Sequence, residues 1–181
     1  MQPALHREAF LERLQKQKAW DVIVIGGGAT GLGVALDAAA RGFQTVLFEQ
    51  HDFGKGTSSR STKLIHGGVR YLREGDFRLV REALQERGRL LRNAPHLVWP
   101  RLFVVPYGQW WERLLYGAGL WLYDRLAGQE QLGTLRRLNP AETHALIPTL
   151  RTEGLRGGLA YVDGQFDDAR LLVHLAWTAA E

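Results

Sequence analysis

The stretch DVIVIGGGATGLGVALDAAARGFQTVLFE, residues 21–49, decides the fold. Asp21 to Ile25 is a run of β-branched residues and reads as a buried parallel strand. Gly26 to Gly31 is a glycine-rich turn. Thr30 to Arg41 reads as a helix, with small Gly33, Ala35, Ala38 and Ala39 allowing close packing, and Gly42 stops it. Thr45 to Glu49 reads as a second strand. Together these make a βαβ unit of about 30 residues, whose crossover is expected to be right-handed. The fold class is α/β.

Within this unit Gly26, Gly28 and Gly31 satisfy the spacing G-x-G-x-x-G, and Glu49 closes the next strand. A strand before the glycines, a helix after them and an acidic residue ending the second strand make a dinucleotide-binding fingerprint. Gly26 permits the sharp turn, Gly28 lets the backbone approach a pyrophosphate, and Gly31 lets helix and strand pack closely. The helix N-terminus offers N–H groups and the positive end of a dipole to the phosphates. Glu49 is placed to accept hydrogen bonds from ribose hydroxyls. Its charge disfavours a 2′-phosphorylated nicotinamide cofactor.

On the N-terminal side, Leu5 to Lys18 reads as a short amphipathic helix with Phe10, Leu11 and Leu14 on one side. On the other side, His51 to Gly68 is a long polar loop dense in hydrogen-bond donors. A nicotinamide enzyme of this fold has no need of such a loop straight after the second strand. A flavin has, because its pyrophosphate, ribityl chain and ring must all be held. Phe77 to Asn93 reads as a helix capped by Asp76, with Phe77, Val80, Leu84, Gly88 and Leu91 on one stripe. Arg101 to Val105 reads as a strand stopped by Pro106, and Trp110 to Leu126 as a strongly apolar helix. That helix exceeds one stripe, so its readings are a buried or inter-domain helix, membrane-surface contact, or dimerisation. Leu159 to Val162 reads as a strand. Asp167 or Asp168 would cap a final helix, Ala169 to Ala180, and capping explains the Asp163, Asp167 and Asp168 group better than a catalytic carboxylate cluster does.

Composition excludes several classes. Of 181 residues, 45% are apolar and 23% charged, which rules out a disordered chain. There is no cysteine, so disulfides, thiolate metal sites and cysteine nucleophiles are excluded. His51, His96, His144 and His174 show no metal-ligand spacing, and no metal is expected. Net charge is +4, and the excess is local. Residues 51–95 hold ten Lys or Arg against five Asp or Glu, which suits an anionic ligand. No basic–aromatic groove pattern supports nucleic-acid binding. Met1 to Trp20 is polar and carries no signal-peptide core. The most apolar run, Leu114 to Tyr123, falls well short of the roughly 18 residues a membrane span needs.

Two stretches, DVIVIGGGATGLGVALDAAARG and FEQHDFGKGTSSRSTKLIHGGVRYL, make the chain resemble the FAD-dependent glycerol-3-phosphate dehydrogenases. These form part of the D-amino-acid-oxidase-like flavoprotein group. FRLVREALQERGRLLRNAPHLVWP, GLWLYDRLAG and YVDGQFDDARL add to the resemblance, which runs from about Trp20 to Glu181. It implies a Rossmann-like FAD-binding domain with a parallel sheet, plus part of a substrate domain. It further implies that Gly26, Gly28 and Gly31 hold the FAD pyrophosphate and Glu49 the adenosine ribose. Thr57, Ser58 and Ser61 would bond phosphate and ribityl oxygens. Lys63, Leu64, His66 and Gly67 would run beside the isoalloxazine ring, with Gly67 and Gly68 leaving room for the ring. A donor beside the ring is the preferred role for His66, against a merely packed histidine or a catalytic base. Arg70 and Tyr71 would face substrate on a strand leaving the ring, Arg70 gripping a phosphate. No catalytic residue is assigned.

The resemblance divides the chain into an N-terminal helix (1–19), a first part of the FAD domain (20–98), part of a substrate or cap domain (99–160), and a return to the FAD domain (161–181). Enzymes of the family are longer, so the chain is expected to be an N-terminal portion, inactive by itself. The implied reaction oxidises sn-glycerol 3-phosphate to dihydroxyacetone phosphate, with FAD as cofactor and a quinone, or oxygen in oxidase relatives, as electron acceptor. A cytoplasmic protein at the inner face of the cell membrane, homodimeric when full length, is the accompanying expectation. Two alternatives stand: another FAD-dependent amine or hydroxy-acid oxidase of the group, or a non-catalytic FAD-binding fragment.

Overall fold

The computed structural model describes residues 7–181, apart from the side chains of Val69, Arg70 and Arg73. The chain divides into two compact units. One comprises the described residues through Lys63 together with Asp167–Glu181, and the other is Leu64–Phe166.

The first unit opens with α1 (Arg7–Lys16), which buries no residue. The βαβ unit follows: β1 (Val22–Ile25), α2 (Ala29–Ala40) and β2 (Thr45–Phe48). β1 and β2 pair in parallel, Val24 opposite Leu47. The last helix of the chain, α7 (Asp168–Ala180), packs against α2. Leu32 of α2 with Leu172 and Ala176 of α7 form the core of this unit, and Leu47 of β2 packs on them. Asp167 caps α7 by accepting from the Arg170 N–H at 3.1 Å.

The expectation of a strand buried on both faces fails for β1. Val24 is buried, but Ile23 is 61% and Ile25 88% exposed. Their cross-strand neighbours are Val46 and Phe48. The helices cover only the face that carries Val24 and Leu47, so an apolar run of the parallel-sheet kind shows one bare side here.

In the second unit β6 (Gly157–Phe166) is the central strand. Antiparallel to it, β4 (Val98–Tyr107) runs along one side. On its other side lie β3 (Leu64–Ile65) at one end and β5 (Arg136–Leu138) at the other. Four helices accompany the sheet: α3 (Val69–Glu74), α4 (Phe77–Asn93), α5 (Trp110–Ala127) and α6 (Pro140–Leu146). Val80 and Leu84 of α4 meet Tyr123 and Ala127 of α5 in a buried cluster, and Leu120 packs with Tyr107 and Leu159. Asp76 caps α4 through the Leu79 N–H at 3.0 Å.

Two sequence expectations are corrected in this unit. β4 does not stop at Pro106; it runs through both Pro100 and Pro106, paired with Gly164 and Gly158. β4 has β6 on one side only, and an edge strand tolerates prolines whose missing N–H would face the open side. The chain after Gly68 is not a strand but the helix α3. Gly68 starts it with φ +67°, and Gly75 ends it with φ +80°. β5 and α6 have no counterpart in the sequence reading, although Asn139 and Glu142 form a capping box with Pro140 at the first helical position. α5 buries Leu120, Tyr123 and Ala127 and leaves Trp110, Trp111, Leu114, Leu115 and Trp121 exposed. Among the described residues no helix is long and apolar enough to cross a membrane.

Candidate FAD site

The glycine turn is fixed from several directions. The Gly26 N–H donates to the Phe48 carbonyl at 2.8 Å, and Gly26 adopts φ +105°, a region open to glycine. A Cβ on Gly31 would lie 1.9 Å from the Gly26 carbonyl oxygen. One on Gly28 would lie 3.1 Å from Ser58 Oγ. Gly28 is the N-cap of α2 in extended conformation. Thr30 and Gly31 stand in the first turn, where no carbonyl lies one turn back to take their N–H groups. The Ala29 N–H donates to Ser58 Oγ at 3.0 Å, leaving the Ser58 O–H as a donor. This cradle, shaped by glycines and lined with N–H groups at a helix N-terminus, fits a pyrophosphate.

Glu49 faces the same turn. Its Oε2 accepts from the Gly27 N–H at 2.7 Å and its Oε1 from the His51 N–H at 2.9 Å. The Gly27 bond first, then that from His51, holds this carboxyl below the usual glutamate range. Each oxygen keeps a second lone pair for a sugar hydroxyl. The residue also lines a groove of about 500 Å³ whose walls include Phe48, His51 and Phe53. Glu49→Gln places an amide NH2 against one of two backbone donors. We expect FAD affinity to fall by about tenfold, the loss of one charge-assisted hydrogen bond, read by equilibrium dialysis of the flavin. Unchanged affinity would show that the charge on Glu49 does not matter to the nucleotide.

The loop after β2 carries a feature that the sequence did not announce. Asp168, the first residue of α7, is 2% exposed and reaches back to it. Its Oδ2 accepts from the Ser61 hydroxyl at 2.7 Å and the Ser61 N–H at 3.1 Å. Its Oδ1 accepts from Lys63 Nζ at 2.5 Å and from its neighbour Ala169 N–H at 2.7 Å. Lys63 Nζ also donates to the Ser59 carbonyl at 2.9 Å. Burial pushes the Asp168 carboxyl up, but the bonds from Lys63 and Ser61 outweigh it and hold the group at about 2. The Ser61 oxygen takes the Lys63 N–H at 3.0 Å. Its own proton is spent on Asp168, so Ser61 can accept from a ribityl hydroxyl but has no donor left for phosphate. Thr57 opens a short 3-10 turn, Thr57–Ser59.

Leu64, His66, Gly67, Arg70 and Tyr71 belong to the second unit. Leu64 pairs with Gln165 at the start of β3. His66 is exposed, not packed, and its Nδ1 accepts from the Gly68 N–H at 2.9 Å. A neutral imidazole held this way carries its proton on Nε2, a donor. Glycine at 67 has a reason other than room for a ring: a Cβ there would sit 2.7 Å from Leu84 Cγ and 2.9 Å from Tyr123 Cε2. Tyr71 is 40% exposed, and a Cβ on Gly68 would run into its ring at 2.5 Å. The side chain of Arg70 lies outside the described residues. Among the described residues no group of His, Asp and Glu is arranged to hold a metal ion.

The sequence model of the FAD dependent oxidoreductase family matches residues 21–181. The chain belongs to this FAD-dependent oxidoreductase family. Within it, the mitochondrial glycerol-3-phosphate dehydrogenase of Macaca fascicularis is 48% identical over 181 residues, covering 96% of this chain and 25% of that protein. The mitochondrial glycerol-3-phosphate dehydrogenase of Arabidopsis thaliana is 50% identical over 171 residues, covering 88% of this chain and 27% of that protein. Among solved structures, the glycerol-3-phosphate dehydrogenase of Bacillus halodurans complexed with FAD superposes with a TM-score of 0.69 at 36% identity. It covers 99% of this chain and 28% of that one. The chain thus spans about a quarter of the length of the curated relatives it matches. The Rossmann-like α/β class read from the sequence holds, with parallel β1 and β2 around the glycine turn.

Proposed function

We propose that this chain is the cofactor-holding N-terminal portion of an FAD-dependent dehydrogenase that oxidises sn-glycerol 3-phosphate to dihydroxyacetone phosphate. Identity of 48% across 96% of the chain with a mitochondrial glycerol-3-phosphate dehydrogenase carries the reading. The glycine cradle supports it from the structural side. FAD, when bound, supplies the acceptor for the hydride from the carbinol carbon. The chain's own residues bind and orient. The N–H groups at the start of α2 and the Ser58 hydroxyl face the pyrophosphate. Glu49 takes ribose hydroxyls beside a groove whose aromatic walls suit a nucleoside. Leu64, His66 and Gly67 border the ring, with His66 Nε2–H as a donor.

Glycerol 3-phosphate is a dianion, and Arg70 is assigned to its phosphate because guanidinium is planar, always charged and bidentate toward phosphate. Arg70→Lys keeps the charge and loses the bidentate grip. In the FAD-loaded enzyme we expect KM for glycerol 3-phosphate to rise tenfold to a hundredfold, about 1.4–2.7 kcal/mol, with flavin content unchanged. Loss of flavin at constant KM would move Arg70 to the cofactor.

Electrons leave to a quinone, with the protein at the inner face of the cell membrane and homodimeric. The exposed Trp110, Trp111, Leu114, Leu115 and Trp121 of α5 suit an apolar contact of that kind. The deciding experiment offers the FAD-loaded enzyme glycerol 3-phosphate, an amino acid and a hydroxy acid, with a redox dye as acceptor. Dye reduction with glycerol 3-phosphate alone is expected. Reduction with an amine or hydroxy acid instead would favour the oxidase alternative, and none with any substrate a non-catalytic role.

A further inference from the structure

The second unit contains a buried polar chain that cofactor binding as described above leaves unused. Arg87 on α4, Tyr123 on α5 and Asp163 on β6 are each 1–2% exposed. Arg87 Nη1 donates to Asp163 Oδ1 at 2.8 Å, and its Nη2 to the Glu130 carbonyl at 2.7 Å. The Gly164 N–H also donates to Asp163 Oδ1, at 2.9 Å. The Tyr123 hydroxyl donates to Asp163 Oδ2 at 2.7 Å and accepts the Gly67 N–H at 2.6 Å. A guanidinium thus fixes a carboxylate, the carboxylate fixes a phenol, and the phenol fixes one backbone amide.

That amide lies in the His66–Gly67–Gly68 turn. The Tyr123 ring also fills the space a side chain on Gly67 would need. Ile65, just before the turn, pairs with Gly164, the neighbour of Asp163. Burying an ion pair here is poor economy for stability, since well-packed apolar groups of the same volume commonly do as well or better. What the pair supplies is direction. A hydroxyl can donate to a carboxylate and accept from an N–H at once, and no apolar side chain can. Burial and the charge on Asp163 raise the phenol well above its ordinary value, so it stays protonated and keeps donating.

We propose that Tyr123, oriented by Asp163 and Arg87, is a positioning residue that sets the His66–Gly67–Gly68 backbone for the flavin. This rests on the FAD reading above. Tyr123→Phe keeps the ring and its packing and removes one oxygen. In the FAD-loaded enzyme it is expected to retain flavin stoichiometry, shift the flavin absorbance and midpoint potential, and lower kcat about tenfold while KM moves less than about twofold. Exchange of the Gly67 amide should accelerate. Should that variant not fold, Asp163→Asn, which keeps an acceptor for the phenol, is read by the same measurements. A lower Tm with unchanged spectrum, potential and kcat would make the chain purely structural and overturn the proposal. A wild-type protein that binds no FAD would sink both this and the functional reading. FAD binding and turnover in the wild type, with an indifferent Tyr123→Phe, would sink this alone.

Discussion

Gly31→Ala is expected to abolish FAD retention and to destabilise the protein by about 3 kcal/mol, the upper end for overpacking. The new methyl group would lie 1.9 Å from the Gly26 carbonyl oxygen and 3.1 Å from its carbonyl carbon. Neither partner can yield cheaply. Gly26 is held to β2 by its N–H and occupies φ +105°. Gly31 sits in the first turn of α2, whose Leu32 is 2% exposed in the core of the unit. Relief must come from moving the helix start away from the strand, and this displaces the N–H groups proposed to face the phosphates. Gly33→Ala is the control. A Cβ there meets nothing within 4 Å, and alanine in a helix interior is favoured over glycine by roughly 0.5–1 kcal/mol. The flavin-to-protein ratio and thermal unfolding separate the two variants. A Gly31→Ala enzyme with full flavin content and an unchanged Tm would refute the close approach.

Which features were legible follows from the range of the interactions behind them. The glycine turn, the two strands beside it and the α4 helix with its Asp76 cap are set by neighbours in sequence, and periodicity and turn chemistry reveal them. Glu49 was legible because strand–turn–helix–strand spacing brings it to the turn. The full length of β4 is hidden because proline reads locally as a strand breaker, whereas its tolerance at 100 and 106 depends on which edge of the sheet is open. α3 is hidden because residues 69–74 follow two glycines and carry no cap signal. The hydrogen bonds between distant parts of the chain are hidden for a different reason. Ser61 and Asp168 are 107 residues apart, Tyr123 and Gly67 56 apart. No local pattern encodes such pairs, and an aspartate near a helix start reads as a cap whether or not it also reaches a distant loop. Asp167 proved to be that cap, and its neighbour Asp168 the anchor. Two adjacent acids at one helix start, where one suffices for capping, were the available hint.

Asp168→Asn is expected to loosen the loop before Lys63, lower FAD affinity tenfold or more, and cost about 3 kcal/mol of stability near neutral pH. The variant keeps the shape but turns one acceptor oxygen into a donor facing Ser61 or Lys63. Lys63 is 43% exposed at its side chain, so water screens part of the lost attraction, which sets the estimate at the low end for a broken buried pair. The loop is also conformationally committed: among the described residues Lys63 is the one non-glycine residue with positive φ, at 61°. Such a conformation costs roughly 1 kcal/mol or more and persists where its surroundings hold it. The carboxylate supplies that hold through Lys63 Nζ, the Ser61 hydroxyl and the Ser61 N–H. Acid should reduce the difference between wild type and variant. The folded-state value of about 2 is depressed below the unfolded value of about 3.9. The stabilisation is therefore complete above about pH 4 and is lost as pH falls through the folded value. Denaturant unfolding of both proteins at pH 6 and again near pH 2.5 measures the gap. It should narrow in acid, and a gap that stays constant would assign the stabilisation to packing at position 168 and not to its charge.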